Sequence, residues 1–467
     1  MNPRMPAHAR LVFLSLCAGL AACASAPPAP EAPTLGLEAV TRFEGAALDA
    51  PDAQEVDLRW WHRFDDPVMA QWVERALEHS PDIAIARERA VQARALLRGA
   101  SGQRNPQIGG ELTLQGRTRR NADTRAVAPS AAIGLEWDAD LWGGLRQAER
   151  SAAATVLRSD DLVQVARLST AALTARAYVA WREALHDERL LTDALDLQAE
   201  VLRLVRVRVD AGLSPQLDLN RAEAEAASLT AESADAVVRV NQAGAALQVL
   251  AGERPGSLDG GDAPRLPSVS GAQAVVRPLD LLRLRPDLRA AENALTVAAA
   301  DLGVAKSDLY PRLRLPGSIT LTSSALSGGA LNIVTASIAA VLDATLFDGG
   351  QRRAGVEVAE SVLRESVEVY RQTLLQALQQ TEAALVGASG ARRRALALDQ
   401  GLTAASAAVT QARVLYDNGL SGFLDVIDAQ RSELDTRRRL LVAQADGARQ
   451  SIATFEAMGL IAPGIGL

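Results

Sequence analysis

The residues that most often carry catalysis are few and scattered in this sequence. Of its four histidines, the one in His186-Asp187-Glu188 lacks a second metal ligand at helical spacing, and His8, His62 and His79 lie far from it. The sequence has no phosphate-binding loop, no glycine-rich dinucleotide fingerprint and no nucleophile motif. We therefore expect a protein that is not an enzyme and that has neither a metal site nor a cofactor.

The two cysteines, Cys17 and Cys23, both lie near the start of the chain, so no disulfide is expected in the rest of it. A basic start and a short apolar run indicate an export signal. The run ends at Leu20-Ala21-Ala22-Cys23, which resembles a bacterial lipobox and predicts a lipoprotein signal peptide over 1–22 with lipidation of Cys23. Ala24 favours sorting to the outer membrane, whose lipid is then a partner. An ordinary signal peptide with an incidental cysteine is the alternative.

Two long stretches organise the remaining chain. Residues 144–211 lack proline and are rich in Ala, Leu, Val, Arg and Glu, which predicts a helix roughly 100 Å long. Residues 350–418 repeat this layout, and Gly387-Ala388-Ser389-Gly390 predicts a kink in the second helix. After each stretch comes a glycine turn and a returning helix. Two adjacent apolar seams, beginning at Leu190 and Leu191, favour a helix with neighbours on both sides, as in the wall of a tube.

Segments with alternating apolar and polar residues occur at about 108–140 and 313–345. Each strand candidate has the length of a tilted membrane-spanning strand, and the polar residues 119–130 are expected to form a loop. Four strands cannot close a barrel, and open strand edges are not tolerated in lipid. Several copies of the chain must therefore combine their strands, with the helices forming a tube below the barrel.

The second half of the sequence repeats the first. Pro106 matches Pro311 at an offset of 205 residues (311 minus 106), and Trp142 matches Phe347 at the same offset. This duplication predicts a first repeat over 67–252 (strands about 108–140, helical hairpin 143–251) and a second over 285–460 (strands about 313–345, helical hairpin 349–458). The remaining segments are a linker and clasp with Trp60-Trp61 over 23–66, a linker over 253–284 and a tail over 461–467.

Several motifs together resemble the TolC-like outer membrane efflux factor family, and most of all its NodT-type lipoprotein subgroup. They are the lipobox, the Trp60-Trp61 segment, the junction Leu346-Phe347-Asp348-Gly349-Gly350 and the duplicated Gly-Leu-Ser turns. The resemblance implies a mainly α fold with membrane β-strands in a duplicated β-β-α-α repeat. It also implies a trimeric 12-stranded outer-membrane β-barrel, four strands per protomer, continued by a long periplasmic α-helical barrel.

The same resemblance assigns roles to the turns between the long helices. The periplasmic gate or constriction would be formed by Asp218, Tyr416, Asp425 and Asp428, whose carboxylates would become cation-attracting rings in a trimer. Solvated turn residues or helix caps are the alternative. The family's arginine partner of the tyrosine is replaced by Ser421, and the candidates to substitute for it are Arg206, Arg208 and Arg413. The docking tips for an adaptor would be Gly212, Leu213, Ser214, Gly419, Leu420 and Ser421.

The expected function is that of an outer-membrane channel, the exit duct of a tripartite efflux system for small toxic compounds or drugs. The expected partners are two further copies in a homotrimer, a periplasmic adaptor (membrane fusion protein) and a proton-driven inner-membrane efflux pump. A net charge of −7 without a basic stripe argues against nucleic acid. Two alternatives are the outer-membrane duct of a type I protein secretion system and a non-pore periplasmic coiled-coil scaffold lipoprotein.

Overall fold

The structure is a computed structural model that describes residues 32–34, 36, 42–45, 58–118, 125–258, 265–269, 276–326 and 329–462. The predicted signal peptide over 1–22 and the lipidation site Cys23 lie outside the described residues, as does most of the tail. The described residues form two compact units. One unit contains the strands, and the other contains the two turns at which the long helices meet the returning helices.

Helices dominate both halves of the chain. The first half contains α1 (Pro67–His79), α2 (Pro81–Gly102), α3 (Gly144–Asp210) and α4 (Gln216–Leu250). The second half contains α5 (Leu281–Leu284), α6 (Pro286–Ser307), α7 (Gln351–Asp417) and α8 (Phe423–Ala457). The long helices α3 and α7 have 67 residues each, and the returning helices α4 and α8 have 35 each. The duplicated order expected from the sequence is therefore confirmed.

The principal sheet joins the two halves. It contains β1 (Gln107–Thr118), β2 (Arg125–Glu136), β4 (Gly317–Leu326) and β5 (Gly329–Ile338), all antiparallel and in the order β1-β2-β4-β5. A second sheet pairs β3 (Arg312–Arg314) with β6 (Val341–Asp343). The strands β2 and β4 come from different halves, and they pair with Ile133 opposite Ile319.

The strand boundaries differ from those predicted at three places. Residues 125–130, expected in a loop, pair with 113–118 and lengthen the first hairpin. The strand β2 ends at Glu136, which lies opposite Gln107 at the start of β1, and the next residues bond instead to Leu313 and Leu315. In the second half, Pro316 lacks an N–H for a ladder and separates β3 from β4.

The helix α7 continues through Gly387 and Gly390 without an interruption, and a kink there stays a prediction. A different constraint acts at Gly387. A β-carbon there would lie 2.5 Å from Oε1 of Gln450 in α8, so the glycine permits two helices to approach closely.

Aromatic side chains fasten the segment before α1 to α8. Trp60 and Trp61 are buried, and the ring of Trp60 stacks on Phe455 with 5.5 Å between centroids. Asp66 caps α1 through the N–H groups of Val68 and Met69, and it accepts a hydrogen bond from the hydroxyl of Tyr178 at 3.0 Å. Among the described helices, none is both long and apolar enough to cross a membrane.

Candidate functional site

The two turns that join the long and returning helices have the same backbone structure. Gly212 and Gly419 adopt φ angles of +70° and +71°, which favour glycine. In the first turn the N–H of Leu213 donates to the carbonyl oxygen of Arg208 at 2.8 Å, and in the second the N–H of Leu420 donates to that of Leu415 at 2.8 Å. This capping pattern satisfies the last carbonyls of α3 and α7 and sharply ends both helices.

The leucine after each glycine is exposed. In this capping pattern the equivalent side chain often packs on the last turn of the helix, yet Leu213 is 70% exposed and Leu420 is 75% exposed. Ser214 and Ser421 are half-buried, and the hydroxyl oxygen of Ser421 has no hydrogen-bond partner among the described residues. Leu213 and Leu420, which we call the tip leucines, therefore form a small apolar surface at each turn.

Tyr416, at the end of α7, lies in a buried cluster with residues of α3, α4 and α8. Its ring centroid is 5.6 Å from that of Phe423, and the guanidinium of Arg208 lies 4.6 Å from the centre of its ring. Nη1 of Arg208 also donates to the carbonyl oxygen of Tyr416 at 3.4 Å, and the hydroxyl groups of Tyr416 and Ser214 are 3.5 Å apart. These contacts connect the ends of the two long helices.

Of the three arginines considered from the sequence, only Arg208 contacts Tyr416 in the described structure. Arg206 instead pairs with Glu223 at 3.2 Å, and Arg413 lies 3.9 Å from Glu200. The cation over the ring of Tyr416 therefore comes from the end of α3. A cation over an aromatic ring is attracted by the ring quadrupole, so Arg208 and Tyr416 stabilise this arrangement of the two helices.

Asp218 and Asp425 lie on the first turns of α4 and α8, and Asp428 lies one turn further along α8. Asp218 is mostly covered and lies 4.0 Å from Arg221, whereas Asp425 and Asp428 are exposed. Asp425 accepts a hydrogen bond from the N–H of Gly422 at 3.2 Å and so caps α8. No hydrogen bond joins Tyr416 to any of these carboxylates in the described residues. Asp425 therefore has the capping contact foreseen as the alternative to a gate role.

A cavity of about 310 Å³ lies beside Tyr416 and between α3, α7 and α8. Its lining includes both charged groups of the Arg413 and Glu200 pair, together with the side chain of Phe423. No group of three or more residues with metal-ligating side chains occurs in the described part of the chain. The region around the turns is thus a polar-lined joint between helices and offers no arrangement for a metal ion there.

Sequence reasoning missed a series of ion pairs that joins α8 to the first helical hairpin. Nε of Arg431 donates to Glu225 at 2.8 Å, and Arg438 donates to Asp187 and to Glu232, both at 2.7 Å. The hydrogen bonds with Glu225 and Asp187 raise the pKa values of Arg431 and Arg438, respectively. The repeated spacing of seven residues on both helices was a signal in the sequence for these pairs.

Further along α8, Arg449 pairs with Glu183 of α3 and lies 3.1 Å from Asp446. Burial raises the pKa of Glu183, and the opposing charge of Arg449 acts to lower it. A cavity of about 950 Å³ is lined by Glu183, Asp187 and the charged ends of several arginines. These ion pairs hold α8 in one register against α3 and α4, and thereby fix the position of the turns.

Comparisons with known proteins agree with this architecture. The sequence profile described as Outer membrane efflux protein matches residues 72–253 and 278–460, one segment in each half. The pyoverdine export outer membrane protein OpmQ of Pseudomonas putida is 30% identical over 482 residues, which covers 97% of this chain and 97% of OpmQ. Nodulation protein T of Rhizobium leguminosarum bv. trifolii is 30% identical over 404 residues and covers 84% of this chain and 85% of its own length.

The structure resembles solved outer-membrane channels in the same way. The outer-membrane channel OprN superimposes with a TM-score of 0.81 at 28% identity, covering 94% of this chain and 99% of OprN. The resemblance expected from the motifs, including the likeness to nodulation protein T, is confirmed, and so is the fold class of long helices with few strands. The relatives are outer-membrane channels rather than enzymes. With both halves matched by the profile, this chain belongs to the outer membrane efflux protein family.

Proposed function

We propose that this protein is the exit duct of a tripartite efflux system in the bacterial outer membrane. It receives small toxic compounds or drugs from an inner-membrane pump through a periplasmic adaptor and conducts them passively to the exterior. The relative OpmQ is named for the export of pyoverdine. The pump supplies the energy, and this chain supplies neither catalysis nor a cofactor.

The principal sheet carries this proposal. In the described structure β1 and β5 each pair on one side only, which leaves two open edges. Apolar side chains on the sheet are strongly exposed: Ile108 is 75% exposed, Leu112 77% and Ile338 80%. Exposed apolar residues suit contact with lipid, but open edges in lipid would leave backbone groups without hydrogen bonds. A homotrimer removes those edges by pairing β5 of each copy with β1 of the next.

The contact between Arg208 and Tyr416 acts as the closure of the periplasmic end. It connects α3 to α7 within one copy, so separation of the two hairpins requires the guanidinium to leave the ring. Asp218, Asp425 and Asp428 lie near the starts of α4 and α8, the helices that return from the two turns. In the trimer each becomes a ring of three carboxylates that attracts cations and repels anions at the opening.

The tip leucines, Leu213 and Leu420, together with their flanking Gly212, Ser214, Gly419 and Ser421, form the surface on which the adaptor docks. They are exposed at equivalent positions in both halves, so a trimer presents six similar apolar tips. Acylation of Cys23 adds a lipid anchor to the membrane-spanning strands. Residues 67–252 and 285–460 are the two repeats, joined by a linker over 253–284.

Recordings from purified protein in planar bilayers test this function. We expect heat-modifiable trimers from outer-membrane fractions that conduct ions, and a deletion strain that is more susceptible to drugs or solvents. A soluble rod that never conducts would instead support the scaffold alternative. Loss of a secreted protein with unchanged susceptibility would instead support a type I secretion duct.

A further inference from the structure

Two apolar side chains before α7 are almost fully exposed. Leu346 is 97% exposed and Phe347 is 89% exposed, more than any other large apolar side chain among the described residues. The segment that carries them is nevertheless well held. Asp348 accepts hydrogen bonds from the N–H groups of Gly350 at 2.9 Å and Arg352 at 3.3 Å. An aromatic ring presented to solvent on a fixed backbone is typical of a contact surface.

The side chain of Arg352 fixes the same segment from its other side. Its guanidinium donates to the carbonyl oxygen of Asp308 at 2.9 Å and also to the hydroxyl of Thr345. Leu346 and Phe347 therefore lie between two anchored residues, Thr345 and Asp348. Their exposure is a consequence of how the backbone is held, and the described residues of this chain do not cover them.

The residue of the first half that matches Phe347 makes its aromatic contacts within the chain. Trp142, 205 residues before Phe347, is half-buried, and its indole N–H donates to the carbonyl oxygen of Pro311 at 2.6 Å. Its ring also stacks on Tyr310 with 4.8 Å between centroids. The aromatic residue of the first half is thus seated on a pair of residues in the second half. We call Tyr310 and Pro311 the occupied seat.

The counterpart of the occupied seat is not filled by any of the described residues. An offset of 205 residues matches Tyr310 and Pro311 to Asn105 and Pro106, and both of these are exposed. Trp137 lies beside them, since its indole N–H donates to the carbonyl oxygen of Arg104 at 2.9 Å, and it is 38% exposed. We call Asn105, Pro106 and Trp137 the open seat.

We propose that Phe347 of one copy packs into the open seat of the neighbouring copy in the trimer, with Leu346 at its side. The inference rests on the trimer of the proposed function and names the contact that joins its copies. Within one chain, the pairing of β2 with β4 and the seating of Trp142 both join the first half to the second. Repeating that relation around a ring joins the second half of one copy to the first half of the next.

The same relation predicts which strand residues meet between copies. Ile133 lies opposite Ile319 inside the chain, and a shift of 205 residues places Ile338 opposite Leu114 of the neighbouring copy. Both side chains are exposed, at 80% and 70%. One difference separates the halves: three residues lie between Phe347 and α7, but only Gly143 lies between Trp142 and α3. The longer junction carries Phe347 away from its own helix and toward a neighbour.

Cysteine cross-linking in intact membranes tests the contact. Full-length protein with Phe347→Cys and Pro106→Cys is treated with a short bis-thiol reagent and separated under denaturing conditions. We expect covalent dimers and trimers. The pair Trp142→Cys with Pro311→Cys is the control for a contact within one chain, and it should give no dimer. The pair Phe347→Cys with Pro311→Cys is the mismatched control, and the unsubstituted chain shows any background from Cys23.

The pair Ile338→Cys with Leu114→Cys distinguishes a failure of the proposed Phe347 contact from a failure of the trimer itself. If this pair forms dimers and trimers but Phe347→Cys with Pro106→Cys does not, the open seat is wrong although the trimer stands. If neither pair does so, the trimer of the proposed function is wrong.

The thermal stability of the trimer gives a second test, in which the residues of the open seat are left unchanged. We expect Phe347→Ser to lower the temperature at which trimers dissociate in detergent, and Phe347→Trp, which copies the first half, to preserve it. Trimers of Phe347→Ser that are as heat-stable as the unsubstituted protein would overturn the proposal.

Discussion

The two ends of each helical hairpin share one backbone structure but differ in their surroundings. Gly212 and Gly419 end the long helices, and Gly252 and Gly459 end the returning helices, all with φ near +70°. Leu420 follows Gly419 and is 75% exposed, whereas Leu460 follows Gly459 and is 2% exposed. The same local capping pattern thus produces a free surface at one end and a packed joint at the other.

The glycines themselves show the same contrast. A β-carbon on Gly252 would lie 2.5 Å from the carbonyl oxygen of His79, and one on Gly459 would lie 2.7 Å from Cα of Arg285. At Gly212 and Gly419 nothing lies within 4 Å. The difference teaches that the ends at residues 252 and 459 are closely packed, while those at 212 and 419 are open and exposed among the described residues.

The largest expected effect on stability comes from adding a methyl group at the end of a returning helix, where the chain is closely packed. We expect Gly252→Ala to lower the free energy of unfolding by roughly 2–5 kcal/mol, because a left-handed backbone and a collision with His79 act together. Gly212→Ala is the matched control and should lose about 1–2 kcal/mol from backbone strain alone. Denaturant unfolding of the solubilised protein measures both. Equal losses would remove the contrast between the ends.

Charges on the exposed leucines should separate docking from folding. We expect Leu213→Asp with Leu420→Asp to abolish efflux while trimers form normally, because an adaptor cannot pack on a charged tip. Leu460→Asp is the control at the packed end and should destabilise the fold by roughly 3 kcal/mol, since it buries a carboxylate without a partner. Drug susceptibility and trimer content are measured together. Normal resistance in the double variant would overturn tip docking.

Removal of Arg208 should loosen the free end without unfolding it. A cation over an aromatic ring contributes about 0.5–2 kcal/mol, so we expect Arg208→Ala to raise the open probability by about 2- to 30-fold. Arg206→Ala removes a nearby exposed arginine that pairs with Glu223, and it should leave the open probability unchanged. Single-channel recordings measure the open probability of both variants. Equal effects of the two variants would show that general charge, and not contact with Tyr416, controls the opening.

The smallest effect is expected from the exposed carboxylates. We expect Asp425→Ala with Asp428→Ala to weaken the preference for cations and to change conductance, because two rings of negative charge are removed. Loss of the capping contact of Asp425 adds about 0.5–1 kcal/mol of destabilisation. Asp435→Ala, also exposed on α8, is the control. Unchanged selectivity and conductance would leave Asp425 as a helix cap alone.

Much of the fold could be predicted because its signals are local. Both long helices end where glycine can adopt a left-handed φ, and α2 and α6 begin at prolines. The positions of glycine and proline in the sequence therefore predict these helix ends. Strand limits were predicted less well. The end of β2 depends on where its partner β1 begins, and the segments on the two sides of Pro316 pair with different strands. Neither of these partners is visible in a pattern of alternation.

The candidate site shows the same division. The sequence identified Tyr416 and left three arginines open, since Arg208 is separated from Tyr416 by 208 residues and spacing along the chain does not give distance in space. The ion pairs of Arg431 and Arg438 were missed for the same reason. Their seven-residue spacing marks one face of α8, but only packing shows that Glu225 and Glu232 face it.

By itself the sequence determined the duplication, the two long hairpins, the capped turns and the short strand pairs, because periodicity and capping act over a few residues. Only the tertiary structure decided that Arg208 lies on Tyr416, that α7 passes Gly387 without a break and that Leu460 is buried while Leu420 is exposed. Each of these depends on side chains brought together from distant parts of the chain, where burial and close packing, rather than local backbone preference, set the outcome.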